Sequence, residues 1–276
     1  MPRQCYSRLL IPNKSSDEAV LGLVCLFDPL GFETRGGDLV AFFREPGAAR
    51  GAGEALRGRR IRHALTTDIP EGDPLEAYRA ASRPFPVGKR LWVEPGQPDG
   101  GAAPEGRIAL CVPASRAFGT GSHASTRLAL AALEEEELEG RSVLDVGTGS
   151  GVLALAAAGL GARRAVGLDT DADAVFVARE NVRRHAFGER VRLYAGPLAA
   201  CAGKFDLVVA NMLAEEILAE SRRLQARAAR RGRVLLSGVT REREGAVLAR
   251  MRTGRWKLVG RRGEDEWISL CLERAS

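Results

Sequence analysis

The sequence has few of the residues that would place it in a disulfide-bonded, metal-binding or membrane-spanning class. Its five cysteines are scattered and form no C-x-x-C pair, which favours reduced thiols over a disulfide framework. Its three histidines, His63, His123 and His185, lack the spacing of zinc ligands. No apolar run approaches the ~18–20 residues that span a bilayer, and the N-terminus has no apolar signal segment. We therefore expect a cytoplasmic protein without a metal or a membrane anchor.

Lysine is scarce as well, although the chain is basic. Only four of the 41 lysines and arginines are lysines, and the net charge is +6. This charge permits a weak contact with an acidic partner such as ribosomal RNA. The arginines are interleaved with glutamates, however, which is more typical of a solvated surface. The charge by itself therefore assigns no function.

A glycine-rich loop follows an apolar run in the middle of the chain, L-D-V-G-T-G-S-G at 144–151. Asp145 precedes three alternating glycines, of which Gly147 and Gly149 are the first two. A dinucleotide-binding fingerprint would require a third glycine where this chain has Val152. The spacing instead resembles the first motif of class I S-adenosylmethionine-dependent methyltransferases. A Gly-rich turn between a strand and a helix is the alternative interpretation.

A second acidic residue supports a cofactor site. Asp169 ends a short apolar run at 165–169 and lies 169 − 147 = 22 residues after Gly147. This is close to the ~20-residue interval at which a carboxylate meets a ribose in such folds. A solvated carboxylate or a helix cap is the alternative, but Asp171 is the better candidate for the cap.

The chain divides into three parts by composition and pattern. We predict a small α+β, ferredoxin-like unit at 1–70, a Pro/Gly-rich linker at 71–106, and a methyltransferase domain at 107–276. In the last part, predicted strands at 142–146, 164–168, 191–194, 205–210 and 233–238 alternate with helices. This order predicts an α/β fold with a doubly wound, mainly parallel, Rossmann-like sheet. Two strands near the C-terminus predict a terminal antiparallel strand.

Two further segments narrow the prediction to a family. The first is R-A-F-G-T-G-S-H-A-S-T at 116–126, and the second is N-M-L-A at 211–214. Together with the glycine loop they resemble the PrmA-type ribosomal protein methyltransferases. The resemblance implies an enzyme that uses S-adenosylmethionine to methylate lysine or α-amino nitrogens of the eleventh large-subunit ribosomal protein. It also implies that the small N-terminal domain binds this substrate.

The resemblance implies roles for individual residues. Contacts with the cofactor are implied for Asp145, Gly147, Gly149, Asp169, Phe118, Thr120, Thr126 and Asn211. The segment 118–123 would cover the methyl group. As catalytic residues we consider Asn211, whose carbonyl would accept a hydrogen of the substrate amine, and His123 as a proton acceptor. A helix cap is the alternative for Asn211, and a structural role in its loop is the alternative for His123.

Other function classes remain open from the sequence. The same cofactor would serve a methyltransferase acting on RNA, on a small molecule or on another protein lysine. The chain lacks the N-P-P-Y motif of many enzymes that methylate amide or base nitrogens, and this argues against nucleobase amino groups. A non-catalytic ribosome- or RNA-binding protein with a vestigial cofactor fold is the alternative from another class.

Overall fold

The computed structural model describes residues 5–14, 17–35, 37–70, 82–96, 103–113, 121–253 and 256–274. The chain separates into two compact units, Met1–Glu76 and Ala77–Ser276. Among the residues described, every helix is too short or too polar to cross a membrane.

The first unit is a split β-α-β fold. Its elements are β1 (Cys5–Ile11), α1 (Glu18–Cys25), β2 (Gly31–Arg35), β3 (Asp38–Phe43), α2 (Pro46–Gly58) and β4 (Ala64–Pro70). The strands pair antiparallel in the order β2-β3-β1-β4. This is the ferredoxin-like arrangement that we predicted. Leu9, Phe43 and Leu56 are fully buried between the sheet and the helices, so the unit has a core of its own.

The second unit contains the remaining elements. Its strands are β5 (Phe85–Val87), β6 (Leu91–Glu94), β7 (Ile108–Cys111), β8 (Ser142–Val146), β9 (Arg164–Asp169), β10 (Val191–Ala195), β11 (Phe205–Asn211), β12 (Ala228–Thr240), β13 (Trp256–Glu264) and β14 (Trp267–Arg274). Its helices are α3 (Ala124–Glu134), α4 (Val152–Gly159), α5 (Ala172–Arg183), α6 (Ala214–Arg227) and α7 (Glu244–Met251).

Seven of these strands form one sheet in the order β10-β9-β8-β11-β12-β14-β13. The first five are parallel, and β14 is antiparallel to both of its neighbours. The predicted doubly wound sheet with a terminal antiparallel strand is therefore confirmed. All five residues of β8 are buried, as expected for a central parallel strand with helices on both faces. The carboxyl ends of β8–β12 meet at one edge of the sheet, where ligands of such folds bind.

The predicted linker is wrong between residues 85 and 94. Strands β5 and β6 lie in this stretch and form a small sheet with β7. Val87, Leu91 and Val93 are buried in the core of the second unit, so alternating apolar residues outweigh the prolines around them. Glu134, the last residue of α3, accepts hydrogen bonds from the backbone N–H of Lys89 at 2.8 and 3.0 Å. The helical patch predicted at 75–81 lies outside the described residues.

Candidate functional site

A cavity of about 780 Å³ opens at the carboxyl edge of the large sheet. Its volume is in the range of small-molecule and cofactor sites. Five of the predicted site residues lie on its wall: His123, Gly147, Gly149, Asp169 and Asn211. Residues that are distant in sequence thus come together at one edge of the sheet. Phe118 and Thr120 lie outside the described residues.

The glycine loop is tied to the end of the neighbouring strand. The backbone N–H groups of Gly147 and Thr148 donate to the carbonyl of Leu168 at 2.9 and 3.0 Å. Gly147 has a φ of 69°, and a Cβ there would lie 3.0 Å from the Met212 side chain. Glycine therefore permits both the left-handed backbone and the close approach of Met212. The loop presents backbone, rather than side chains, to the cavity.

Asp145 lies beneath this loop and is not on the cavity wall. It is fully buried, and its Oδ2 accepts hydrogen bonds from the Thr148 hydroxyl at 2.6 Å and the Ala154 N–H at 3.1 Å. Its Oδ1 is buried without a hydrogen-bond partner among the described residues. Burial raises the pKa of Asp145 to about 7, although these two hydrogen bonds act in the opposite direction. Asp145 therefore fastens the loop to the start of α4.

Asp169 is half-buried on the cavity wall at the end of β9. Its Oδ2 accepts from the Gly149 N–H at 2.9 Å, and its Oδ1 accepts from the Asp171 N–H at 3.0 Å. A carboxylate oxygen has two acceptor positions, so both oxygens can take a second donor from a ligand. The helix cap is Asp171, as predicted, because its side chain accepts from the Asp173 N–H at 2.8 Å.

Asn211 ends β11 and is oriented by a buried hydroxyl. Its Nδ2 donates to Thr126 Oγ1 at 3.2 Å, and its Oδ1 is buried without a partner among the described residues. Thr126 is fully buried and is not on the cavity wall, so its described contact holds Asn211 in place. The residue that precedes α6 is Leu213, whose N–H donates to Glu216 Oε2 at 3.0 Å. Asn211 is therefore not the cap of this helix.

His123 has a structural function at the start of α3. Its Nδ1 accepts from the Ser125 N–H at 3.3 Å and lies 2.8 Å from the Ser125 hydroxyl. Its ring stands edge-on to Trp267, with the ring centroids 5.0 Å apart. The pairing of Trp267 with Thr240 places this tryptophan beside the carboxyl end of β12, where it lines the cavity. No local sequence signal marks Trp267, because its position depends on the antiparallel strand.

The cavity wall also contains residues that sequence analysis missed. Most are apolar and lie at the end of β9 or after β10 and β11: Leu168, Pro197, Leu198, Met212 and Leu213. Two are carboxylates on α6, Glu216 and Glu220. The wall is thus mainly apolar with a few polar groups, which is typical of a cofactor site.

The sheet order, the glycine loop and the carboxylate at the end of the next strand define a class I methyltransferase architecture. The chain belongs to the PrmA family, since the family model described as ribosomal protein L11 methyltransferase (PrmA) matches residues 38–275. The predicted family and fold are therefore confirmed, and the protein is a methyltransferase.

Individual relatives agree with this assignment. A ribosomal protein L11 methyltransferase of Geotalea daltonii is 43% identical over 234 residues, which cover 80% of this chain and 74% of the relative. A ribosomal protein L11 methyltransferase of Geobacter sulfurreducens is 40% identical over 216 residues, which cover 78% of this chain and 71% of the relative. The crystal structure of the ribosomal protein L11 methylase from Lactobacillus delbrueckii is similar with a TM-score of 0.64 and 28% identity. The match covers 71% of this chain and 100% of the chain in that crystal structure.

Proposed function

We propose that this protein transfers methyl groups from S-adenosylmethionine to lysine or α-amino nitrogens of the eleventh large-subunit ribosomal protein. The observation that carries the proposal is Asn211. Asn211 lies on the wall of the same cavity as the glycine loop, its amide is held by Thr126, and its buried carbonyl oxygen has no partner in the part of the chain that the structure describes. An unpaired buried carbonyl is unfavourable, and an N–H donor from a substrate amine would satisfy it. The relatives named above support the choice of substrate.

The residues on the cavity wall fit the proposed cofactor. A side chain at position 147 would meet Met212, so the loop and Met212 can both line this part of the cavity only with glycine there. Asp169 can accept hydrogen bonds from ribose hydroxyls while it holds the loop. S-adenosylmethionine, when bound, supplies a methyl group activated by a sulfonium leaving group. We propose that Gly147, Gly149 and Asp169 contact the cofactor, whereas Asp145 and Thr126 position them and Asn211.

The remaining task of the protein is to present a neutral amine in the correct direction. A lysine with a pKa near 10.4 must lose its proton, which costs roughly 4 kcal/mol at pH 7.5. A cavity that removes the ammonium from water reduces this cost, because desolvation disfavours the charged form. Asn211 Oδ1 then accepts one amine hydrogen and aims the nitrogen lone pair. We propose that His123 acts by orienting the start of α3, since its Nδ1 is engaged by Ser125.

The small domain is proposed to bind the ribosomal protein. Four large apolar side chains are exposed within a short stretch of this unit: Leu21, Leu26, Leu30 and Phe32. Leu26 and Leu30 are the most exposed of the four, at 78% and 54%, and contiguous exposed apolar side chains mark protein interaction sites. A protein partner suits such a surface better than RNA does, because nucleic-acid interfaces are polar and strongly basic.

The proposal is tested by incubating the protein with labelled S-adenosylmethionine and undermethylated large-subunit ribosomal proteins. We expect mass spectrometry to locate the label on amino groups of the eleventh protein. Label on RNA alone would contradict the proposed substrate.

Asn211→Ala tests the mechanism in the same assay. We expect a loss of about 10²-fold in kcat, comparable to removal of one positioned hydrogen-bond partner in other enzymes. The affinity for S-adenosylhomocysteine and the melting temperature should change little. Thr126→Val is the matched variant, since it removes the hydroxyl that orients Asn211 and leaves Asn211 in place. An unchanged kcat of Asn211→Ala at saturating cofactor would remove Asn211 from the mechanism.

A further inference from the structure

The first turn of α3 is hydrogen-bonded to the ends of two neighbouring strands, β11 and β12. Its Thr126 hydroxyl accepts from the Asn211 amide of β11 at 3.2 Å. Its Ser125 carbonyl accepts from the buried Ser237 hydroxyl of β12 at 2.7 Å. Ser125 and Asn211 both line the cavity. The position of this turn therefore sets the shape of the cavity beside Asn211.

Arg127 connects the same turn to a third strand. Its Nε donates to the two carboxylate oxygens of Glu264 at 3.1 and 3.4 Å, and its Nη2 forms an ion pair with the same carboxylate. Its Nη1 donates to the backbone carbonyl of Ser122, just before α3 begins. A guanidinium suits this arrangement, because its donors point in fixed directions within one plane. Arg127 and Glu264 are not on the cavity wall, so they act on the cavity through their neighbours.

Glu264 is the cross-strand neighbour of Trp267, which lines the cavity. Opposite residues of an antiparallel pair project to the same side of the sheet, so a contact that holds one of them restrains the other. The turn between these two residues is also held by Arg241. The Arg241 backbone N–H donates to the Glu266 carbonyl at 2.8 Å, and its Nε donates to the Asp265 carbonyl at 2.6 Å. The hairpin that carries Trp267 is therefore bound both through its backbone and through the Glu264 side chain.

We propose that Arg127 is a positioning residue for methyl transfer. Through Glu264 it keeps the Trp267 ring against His123, 5.0 Å away between ring centroids, in the turn that also holds Asn211. This inference rests on the proposed function, in which Asn211 aims the substrate amine. A displacement of about 1 Å at such a site can cost about 10²-fold in rate, because the reacting atoms must be aligned.

A second ion pair joins the same helix to the same strand and provides a matched control. Arg262, two residues before Glu264 on β13, pairs with Glu135, the residue that follows α3. This pair lies at the opposite end of α3 and is not on the cavity wall. The side chains of Arg127 and Arg262 are 33% and 37% exposed, so each pair should contribute little to stability. Arg127→Met and Arg262→Met each remove one guanidinium and keep an unbranched side chain.

The environment of Trp267 gives a readout that needs no turnover. The chain has three tryptophans, Trp92, Trp256 and Trp267, so labelling with fluorotryptophan gives three resonances in a fluorine NMR spectrum. Trp267→Phe assigns the resonance of interest. We expect Arg127→Met to shift or broaden the Trp267 resonance and to leave the other two in place. Arg262→Met should leave the Trp267 resonance unchanged.

The kinetic test uses the full chain with the eleventh large-subunit ribosomal protein as substrate. We expect Arg127→Met to lose about 10- to 100-fold in kcat. Its affinity for S-adenosylhomocysteine, measured by calorimetry, should stay within about twofold, because the proposed cofactor contacts lie on and after β8 and β9. Glu264→Ala removes the same ion pair from the other side and should give a similar loss in kcat. Arg262→Met should keep kcat within about twofold of the wild-type value.

Three results would contradict these expectations. Equal losses of kcat in Arg127→Met and Arg262→Met overturn the inference, because the effect would then arise from the packing of α3 on β13. A Trp267 resonance that Arg127→Met leaves unchanged overturns it as well. A wild-type protein that methylates no ribosomal protein overturns the proposed function, whereas the fluorine spectra still decide whether Arg127 positions Trp267.

Discussion

The buried carboxyl of Asp145 predicts an unusual dependence of stability on pH. Burial raises its pKa from 3.8 to about 7 in the folded protein, because the ionised form is deprived of water. The folded state therefore holds a proton that the unfolded state has lost. The stabilisation that goes with this proton is present below the unfolded pKa near 4 and is lost as the pH rises through the folded pKa near 7.

The size of this loss follows from the two pKa values. Between pH 5 and pH 8 the folded carboxyl ionises only in the upper part of the range, whereas the unfolded carboxyl is ionised throughout. Each pH unit over which only the folded state holds the proton lowers the free energy of unfolding by about 1.4 kcal/mol. We therefore expect Asp145 to lower the free energy of unfolding by about 2–3 kcal/mol between pH 5 and pH 8.

Asp145→Asn isolates this contribution. The asparagine carbonyl can still accept from Thr148 and Ala154, and its amide does not titrate in this range. Urea denaturation of the apo protein, followed by tryptophan fluorescence, gives the free energy of unfolding at each pH. We expect the variant to gain about 2–3 kcal/mol relative to the wild-type protein from pH 5 to pH 8. A difference between the two proteins that is independent of pH would refute the reasoning.

Asp206 provides a control, because its pKa is lowered in the folded protein whereas that of Asp145 is raised. Burial raises the pKa of Asp206, but the backbone N–H and hydroxyl of Ser142, with Arg141 and Arg163, outweigh it and hold the pKa below the usual value of 3.8. The carboxylate is thus ionised in both states above pH 5. Asp206→Asn should destabilise the protein by the same amount at every pH from 5 to 8.

Two further predictions concern the loop and a buried histidine. Gly147→Ala places a Cβ at a φ of 69° and 3.0 Å from Met212, so calorimetry and urea denaturation should show weaker S-adenosylhomocysteine binding and about 1–2 kcal/mol lower stability. Gly245→Ala, with open space around it, should not destabilise. Burial lowers the pKa of His185, whose Nε2 accepts from the Cys111 N–H at 3.0 Å. The neutral imidazole therefore stabilises the folded protein above a pH of about 6.5, and this stabilisation is lost as the pH falls. The melting temperature of the wild-type protein should decline below a pH of about 6.5, and His185→Gln should make this decline less steep. An equal decline in both proteins would contradict the prediction.

The central sheet could be predicted from the sequence because its strands are buried on both faces. Such strands are short apolar runs bounded by turn residues, and β8 was predicted with the boundaries 142–146 that the structure has. Two edge strands of the smaller sheets, β2 and β5, could not be predicted in this way. β2, G-F-E-T-R, alternates half-buried and exposed residues, so no apolar run marks it in the sequence. β5 contains Pro86, which has no N–H to donate and suits an edge strand, but in the sequence it indicates a linker.

The candidate site could be predicted only where a local motif marks it. The glycine loop, Asp169 and Asn211 each follow a recognisable strand, and the parallel topology brings these ends together. Trp267 and Glu220 reach the same cavity from an antiparallel strand and from the second turn of a helix. Their positions on the cavity wall depend on how distant elements pack, and no spacing in the sequence predicts them.

The sequence motifs contain both buried residues that hold the site in place and residues that line the cavity, and the structure distinguishes the two. Asp145 and Thr126 are fully buried, and in the contacts described each holds a group that lines the cavity: the glycine loop in one case and Asn211 in the other. Substitutions of these buried residues should act through the geometry of their partners and through folding stability. Substitutions of Asn211 should act on a ligand directly and leave stability nearly unchanged. Measuring stability and ligand affinity on the same variants therefore distinguishes the residues that form the site from those that contact its ligands.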